Sequence, residues 1–191
     1  MRNIILASTS PRRKELLAKT GLRFKCVDSG YEEDLAISKK PKDLVKFLSL
    51  GKARAVSGKY KNAIIISADT IVVHKDKVLG KPKTKKQAKE FLQMLSGTTH
   101  SVITAFTILD TESGKEVTRA VETKITFKSI SNCQIGRYIA MGEPMDKAGA
   151  YAVQGYGSMF ITKMSGDFFA TVGLPIYLLV EELMGFGVKV M

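Results

Sequence analysis

The sequence predicts an α/β domain built on a mixed sheet, and three observations carry the prediction. Short apolar runs bounded by turn residues alternate with stretches of helical period along the 191 residues. Two long strand-like stretches in the middle are separated only by Glu112-Ser113-Gly114 and read as a hairpin, which a purely parallel sheet does not contain. The chain is 45% hydrophobic and 25% charged, enough apolar material for a sizeable core and too much for a disordered polypeptide.

Taken in order, Ile4 to Ala7 reads as a short buried strand. Ser10 stands at a helix cap with Pro11 at the first helical position, and Leu16, Leu17 and the stop Gly21 complete a short helix. Phe24 to Asp28 is a second strand, followed by the acidic Glu32-Glu33-Asp34. A helix begins after Ser38 or Pro41 and runs to Gly58. Ala63 to Asp69 is an apolar strand closed by an acid, with Thr70 to His74 continuing extended. Thr84 and Gln87 form a capping-box pair ahead of a helix closed by Ser96-Gly97, and Ser131 and Gln134 repeat the pattern ahead of a helix that ends at Gly142. His100 to Leu109 and Val117 to Phe127 are the hairpin strands. Met159 to Lys163 is a last strand, and Pro175 opens a last helix. No repeat, linker or low-complexity run interrupts the chain, so residues 1–191 are expected to form a single domain.

The charge is uneven. Of 30 lysines and arginines, 22 fall in residues 1–100 against nine acids, while residues 101–191 are nearly neutral. Scattered lysines such as Lys39, Lys40, Lys85 and Lys86 read as a solvated face, but the bias also fits an anionic partner, nucleic acid or phosphorylated metabolite. The longest apolar runs, Ala63 to Ile66 and Ile176 to Val180, are far short of the roughly 20 residues a membrane span needs. Ile4 to Ala7 is too short for the apolar region of a signal peptide, so a cytoplasmic address is expected and no membrane partner. Cys26 and Cys133 lie far apart with no paired spacing and only two histidines are present, which argues against zinc-finger and disulfide frameworks.

Three segments carry chemistry. Ser8-Thr9-Ser10-Pro11-Arg12-Arg13 leads from a strand into a helix, where free N–H groups and a positive dipole end point into one small volume. Two guanidiniums beside that end are unfavourable unless an anion balances them, and their planar forks suit phosphate. Asp69 closes an apolar strand at the carboxyl end of a sheet, where open α/β sheets place ligands. Lys52 and the Gly80-Lys81-Pro82 turn offer further cations, and Glu32 and Glu33 offer carboxylates that with Asp69 can hold a divalent metal. Gly142 to Gly157, with four glycines and a proline, is a tightly turned loop. It presents Gln154, an amide that donates and accepts at once, together with Tyr151 and Tyr156, which either stack on a base or pack the loop.

Leu6 to Arg13, Ser67-Ala68-Asp69-Thr70, Gly80-Lys81-Pro82, Ser96 to His100, Glu143 to Tyr151 with Gln154-Gly155, and Gly173-Leu174-Pro175 resemble, in this order and over essentially the whole length, the motifs of the Maf family of nucleoside triphosphate pyrophosphatases. The resemblance implies an elongated mixed sheet in two lobes around a central cleft, similar to the inosine triphosphate pyrophosphatases, and a homodimer. It implies hydrolysis between the α and β phosphates, giving monophosphate and pyrophosphate, with magnesium or manganese. Ala150, Tyr151, Gln154 and Gly155 match the stretch carried by members preferring dTTP and UTP, from which the 7-methyl-GTP subfamily departs. By the same resemblance Asp69 is the proton acceptor. Ser8, Arg12, Arg13, Lys52, Thr70, Lys81 and Gln154 bind substrate, with Arg12, Thr70 and Gln154 choosing the base, and Glu33 and Asp69 hold the metal. Phe168-Phe169-Ala170 departs from the tyrosines or polar residue usual there. The rival class, a nucleic-acid-binding or division-regulating module, needs a contiguous basic stripe and a recognisable motif; no such motif is present.

Overall fold

The computed structural model describes residues 2–190. Seven strands form one mixed sheet: β1 (Asn3–Ala7), β2 (Lys25–Val27), β3 (Ala63–His74), β4 (Lys77–Leu79), β5 (Thr99–Asp110), β6 (Glu116–Phe127) and β7 (Ile161–Ser165). They lie in the order β2-β1-β3-β5-β6-β7, with β4 also paired to β3. β1 is parallel to both β2 and β3, with Leu6 opposite Cys26 and Ile66, whereas β3 with β4 and β6 with β7 are antiparallel. The helices are α1 (Pro11–Ala18), α2 (Pro41–Ser57), α3 (Lys85–Leu95), α4 (Asn132–Ala140), α5 (Phe168–Val172) and α6 (Ile176–Met184).

The chain forms two compact units. The first comprises the residues up to Asp69, Thr104–Val121 and the residues from Gly173 on; the second comprises Thr70–Ile103 and Glu122–Val172. In the first, Ile5, Ala7, Ala63 and Ile65 meet Ala53 and Val56 of α2, because alternate residues of each strand and the apolar stripe of the helix face one another. In the second, Ala88, Leu92 and Leu95 of α3 pack with Ile135, Tyr138 and Ile139 of α4, and with Phe127, Tyr151 and Phe160.

Several expectations need correction in detail. Ser10 occupies the N-cap of α1, but its side chain makes no capping bond; Ser8 Oγ instead accepts the Ser10 N–H at 3.2 Å. Thr84 caps α3 as expected, yet Gln87 reaches past it to accept the Lys83 N–H, so only half the box forms. The Ser131–Gln134 box is complete. α4 ends at Ala140, before Gly142, and β7 starts at Ile161 because Tyr156–Phe160 winds into a 3-10 turn. Asp69 lies inside β3 and not at its end, since Thr70-Ile71-Val72-Val73 extends the strand with β-branched residues. The parallel ladder to β1 does stop short of it, at Leu6 opposite Ile66.

Candidate active site

The strand order β2-β1-β3 reverses direction at β1. The connection through α1 places β2 on one side of β1, and the connection through α2 places β3 on the other. Open sheets of this kind bind ligands beyond the carboxyl ends of the strands at such a reversal. The residues that follow β1 and β2, together with the middle of β3, are the ones that carry charge. α1 opens with no acidic residue in its first turn, so nothing in the helix balances its positive end. Arg13 is half-buried and donates from Nε to the Gly173 carbonyl at 2.9 Å. Burial lowers its pKa, the fields of Asp69 and Glu33 raise it, and Arg12 beside it lowers it again.

At the centre is a three-residue ion cluster. Lys52 on α2, 7% exposed, points its ammonium at Asp69 Oδ1 and at Glu33 Oε1, the latter 2.6 Å away. Asp69 is 4% exposed. Burial pushes its carboxyl above the usual aspartate range and the Glu33 charge adds to this, while Lys52 and Arg13 oppose it. Two features that the sequence reading missed hold the cluster in register. Ser49, one turn before Lys52, and Ser67, two residues before Asp69 on the same face of β3, clasp each other: Ser67 Oγ donates to the Ser49 carbonyl at 2.7 Å, and the two hydroxyls meet at 3.3 Å. Thr107 Oγ1 joins them 3.0 Å from Ser49 Oγ. Gly51 has no room for a Cβ because the Tyr31 ring lies against it, which seats the segment carrying Glu33 on α2. A serine three residues from a lysine and another two from an aspartate are the only signals the sequence held for the clasp.

The first unit thus brings Arg13, Glu33, Lys52 and Asp69 together, with Arg12 in their field and Ser8 buried at the end of β1. Thr70, Lys81 and Gln154 belong to the second unit. Thr70 is half-buried, and Lys81 and Gln154 are exposed. The turn bearing Lys81 and the loop bearing Gln154 are joined where the Gly149 N–H donates to the Gly80 carbonyl at 3.1 Å. Tyr151 is not free to stack on a base. It is buried, its hydroxyl is 2.8 Å from His100 Nε2, and its ring meets Phe127 edge-on. Tyr156 is exposed.

The donor set fits a divalent cation. Glu33 and Asp69 offer hard carboxylate oxygens, and among the described residues no group of three or more histidine, cysteine or acidic side chains is placed to enclose a metal. One or two carboxylates completed by phosphate oxygens is the usual magnesium arrangement. Among the described residues no helix is long and apolar enough to cross a membrane.

The family model of Maf-like proteins matches residues 3–186. A dTTP/UTP pyrophosphatase of Bacillus anthracis is 46% identical over 190 residues, covering 100% of this chain and 98% of that protein. Another, from Methanosarcina barkeri, is 47% identical over 191 residues, covering 100% of this chain and 97% of that protein. Among solved structures, a nucleoside-triphosphatase / dITP/XTP pyrophosphatase of Mycobacterium abscessus aligns with 67% of this chain and 75% of its own, at 14% identity and a TM-score of 0.41.

Proposed function

Because the chain belongs to the Maf family, we propose that it is a nucleoside triphosphate pyrophosphatase that hydrolyses dTTP and UTP to the monophosphate and pyrophosphate. The observation that carries the reading is the buried Lys52–Asp69–Glu33 cluster beside two arginines at a strand-order reversal, an arrangement of alternating charge suited to a polyphosphate.

In this reading Asp69 accepts the proton of a water that attacks the α-phosphorus in line; the bond from that phosphorus to the α–β bridging oxygen breaks, and pyrophosphate departs with the electron pair. Burial supports the role, because a carboxylate whose protonated form is favoured is a stronger proton acceptor. Arg12, Arg13, Lys52 and Lys81 clamp the polyphosphate and follow its charge toward the leaving group. Ser8 and the first N–H groups of α1 add donors at the end of β1. By the family resemblance Arg12, Thr70 and Gln154 are the residues that choose the base. Glu33 and Asp69 are the residues to hold magnesium or manganese, which when bound neutralises phosphate charge and polarises the phosphate oxygens. Lys52, between the two carboxylates, keeps them paired when no substrate is present.

The reading extends to a homodimer in the cytoplasm, and the two free cysteines, Cys26 and Cys133, fit a reducing compartment. Its test is a panel of nucleoside triphosphates, including 7-methyl-GTP, assayed for pyrophosphate release with magnesium and manganese. Preference for dTTP and UTP is expected. Indifference to all of them, or preference for 7-methyl-GTP, overturns the assignment. Asp69→Asn is expected to lower kcat by about a thousandfold or more while retaining nucleotide binding, and substantial residual turnover removes Asp69 from the proton-accepting role.

A further inference from the structure

Gln154 sits on the exposed part of the loop between α4 and β7, and its side chain makes no hydrogen bond among the described residues. Nothing in its own contacts fixes where its amide points. The backbone on either side of it, however, is tied to one pair of side chains. Tyr138 of α4, buried in the core of the second unit, donates its hydroxyl to Glu143 Oε1 at 2.8 Å and accepts the Ala152 N–H at 3.1 Å. On the far side of Gln154, the Gly157 N–H donates to the same Glu143 oxygen at 3.1 Å, and the Tyr156 N–H donates to Glu143 Oε2 at 3.0 Å. The arc from Ala152 to Gly157 therefore hangs from a single hydroxyl–carboxylate pair, with Gln154 at its middle. Gly155, next to Gln154, lies so close that a Cβ there would collide with the Glu143 carboxylate.

The chemistry of the pair suits a rigid mount. Hydrogen bonds to a carboxylate are roughly twice as strong as neutral ones. Burial alone would raise the Glu143 pKa, but the Gly157 N–H, the Tyr138 hydroxyl, the Tyr156 N–H and the Lys147 charge hold it below the usual glutamate range, so the charged acceptor is the stable form. Tyr138 has the reverse bias: burial and the bond to Glu143 raise its pKa and keep it a donor. The loop is pinned on both sides of an amide that makes no hydrogen bond of its own among the described residues.

We propose that Glu143, acting with Tyr138, is a positioning residue for base selection: it fixes the Ala152–Gly157 arc so that the Gln154 amide meets the base edge in one placement. The inference rests on the reading of Gln154 as the base-reading residue. A uracil or thymine edge presents a carbonyl beside a ring N–H, which one amide can match with its N–H and its carbonyl. Cytosine carries an amino group and an unprotonated ring nitrogen at the corresponding positions, so the same amide matches it only after turning over or shifting. A fixed arc denies the shift of the residue as a whole and leaves only rotation about the side-chain torsions, and specificity of this kind depends on pre-organisation at the scale of half an ångström.

The experiment compares wild type with Glu143→Gln, Tyr138→Phe and the double variant, each shown to melt cooperatively, and measures kcat and KM for dTTP, UTP and dCTP by pyrophosphate release. Glu143→Gln keeps the shape but turns an amide nitrogen toward the Tyr156 or Gly157 N–H. The preference for dTTP over dCTP in kcat/KM is expected to fall about tenfold or more, mainly through a higher KM for dTTP, with kcat changing less than threefold. Tyr138→Phe should shift the preference the same way, and the double variant should lose no more than the worse single one, because both cut one chain of bonds. An unchanged preference in folded variants, or an equal fall for all three substrates, overturns the role of Glu143 while leaving the substrate assignment intact. A wild type with no preference for dTTP and UTP overturns the substrate assignment and this inference with it.

Discussion

Replacing Lys52 by methionine separates the charge balance of the site from its shape. Methionine fills much of the same space, but it leaves Asp69, 4% exposed, and Glu33 facing one another without the cation that now contacts both. Breaking a buried pair by removing one partner costs about 3–5 kcal/mol, a large share of the ~5–15 kcal/mol that holds a domain together. The pH dependence has a definite sign. Asp69 is already pushed up by burial, and losing Lys52 pushes it further. A carboxyl raised in the folded state contributes its full stability below its unfolded pKa of about 3.9 and loses it as pH rises through the folded value. The deficit of Lys52→Met is therefore greatest near neutrality and shrinks on acidification. Adding Asp69→Asn removes one of the two opposed charges and should recover more than half of it. Urea unfolding of the metal-free, nucleotide-free proteins at pH 7.5 and pH 5 measures all three quantities. A Lys52→Met deficit under about 1 kcal/mol at neutral pH, or one that neither acid nor Asp69→Asn relieves, would refute the view that Lys52 is the counter-charge of the site.

Two further outcomes follow from the second unit. His100 is buried, and burial, with His74 nearby, lowers its pKa to about 4. A histidine depressed in this way stabilises the fold above its unfolded value of about 6.5, and the stabilisation is lost as pH falls toward the folded value. The loss amounts to about 3 kcal/mol at ~1.4 kcal/mol per unit. His100→Gln should flatten that part of the stability–pH curve, and a slope identical to wild type would contradict it. Gly149→Ala meets two obstacles at once, a φ of +68° and a Val72 Cγ2 only 2.8 Å from the added carbon. The change should cost about 1–3 kcal/mol and lower the melting temperature by several degrees. An unchanged melt would show that Val72 can give way.

What was legible in the sequence was whatever is written in adjacent residues. The Ser131–Gln134 box and the Thr84 cap, each three residues from its partner, appear where the pattern placed them. The apolar run before Asp69 is a buried strand. What was not legible depends on residues distant in sequence or on unusual backbone. β4 went unseen because its hairpin with β3 turns through Lys75 and Asp76, both at positive φ (46° and 66°), without the glycine that normally marks such a turn. The serine clasp joins positions 18 residues apart, and no local periodicity records it. The role of Tyr151 was readable only as an alternative, because an aromatic in a glycine-rich loop has the same sequence whether it faces a ligand or, as here, a histidine.

The arrangement of the first unit also bears on why its chemistry is housed at such cost. A buried ion cluster is weak support for a fold, since well-packed apolar residues of similar volume often serve stability as well or better. β3 has such residues on either side of Asp69, and α2 has them before and after Lys52. Three cations, Arg12, Arg13 and Lys52, stand in one field with two carboxylates, and the unbalanced positive end of α1 adds to them. Three cations against two carboxylates leave a residual positive charge too small to neutralise a triphosphate, and with nothing bound Arg12 lowers the preference of Arg13 for charge at the open end of the helix. In the proposed reading a polyphosphate bound with a divalent cation would resolve the mismatch: the arginines would meet the anion, Glu33 and Asp69 would hold the cation, and Lys52, no longer needed between the carboxylates, would turn to the phosphates. Fluorescent nucleotide binding measured with and without magnesium then has a required pattern. Affinity without the metal should fall in wild type and fall much less in Asp69→Asn, where one carboxylate no longer repels the phosphates; equal metal dependence in the two proteins would separate Asp69 from the cation.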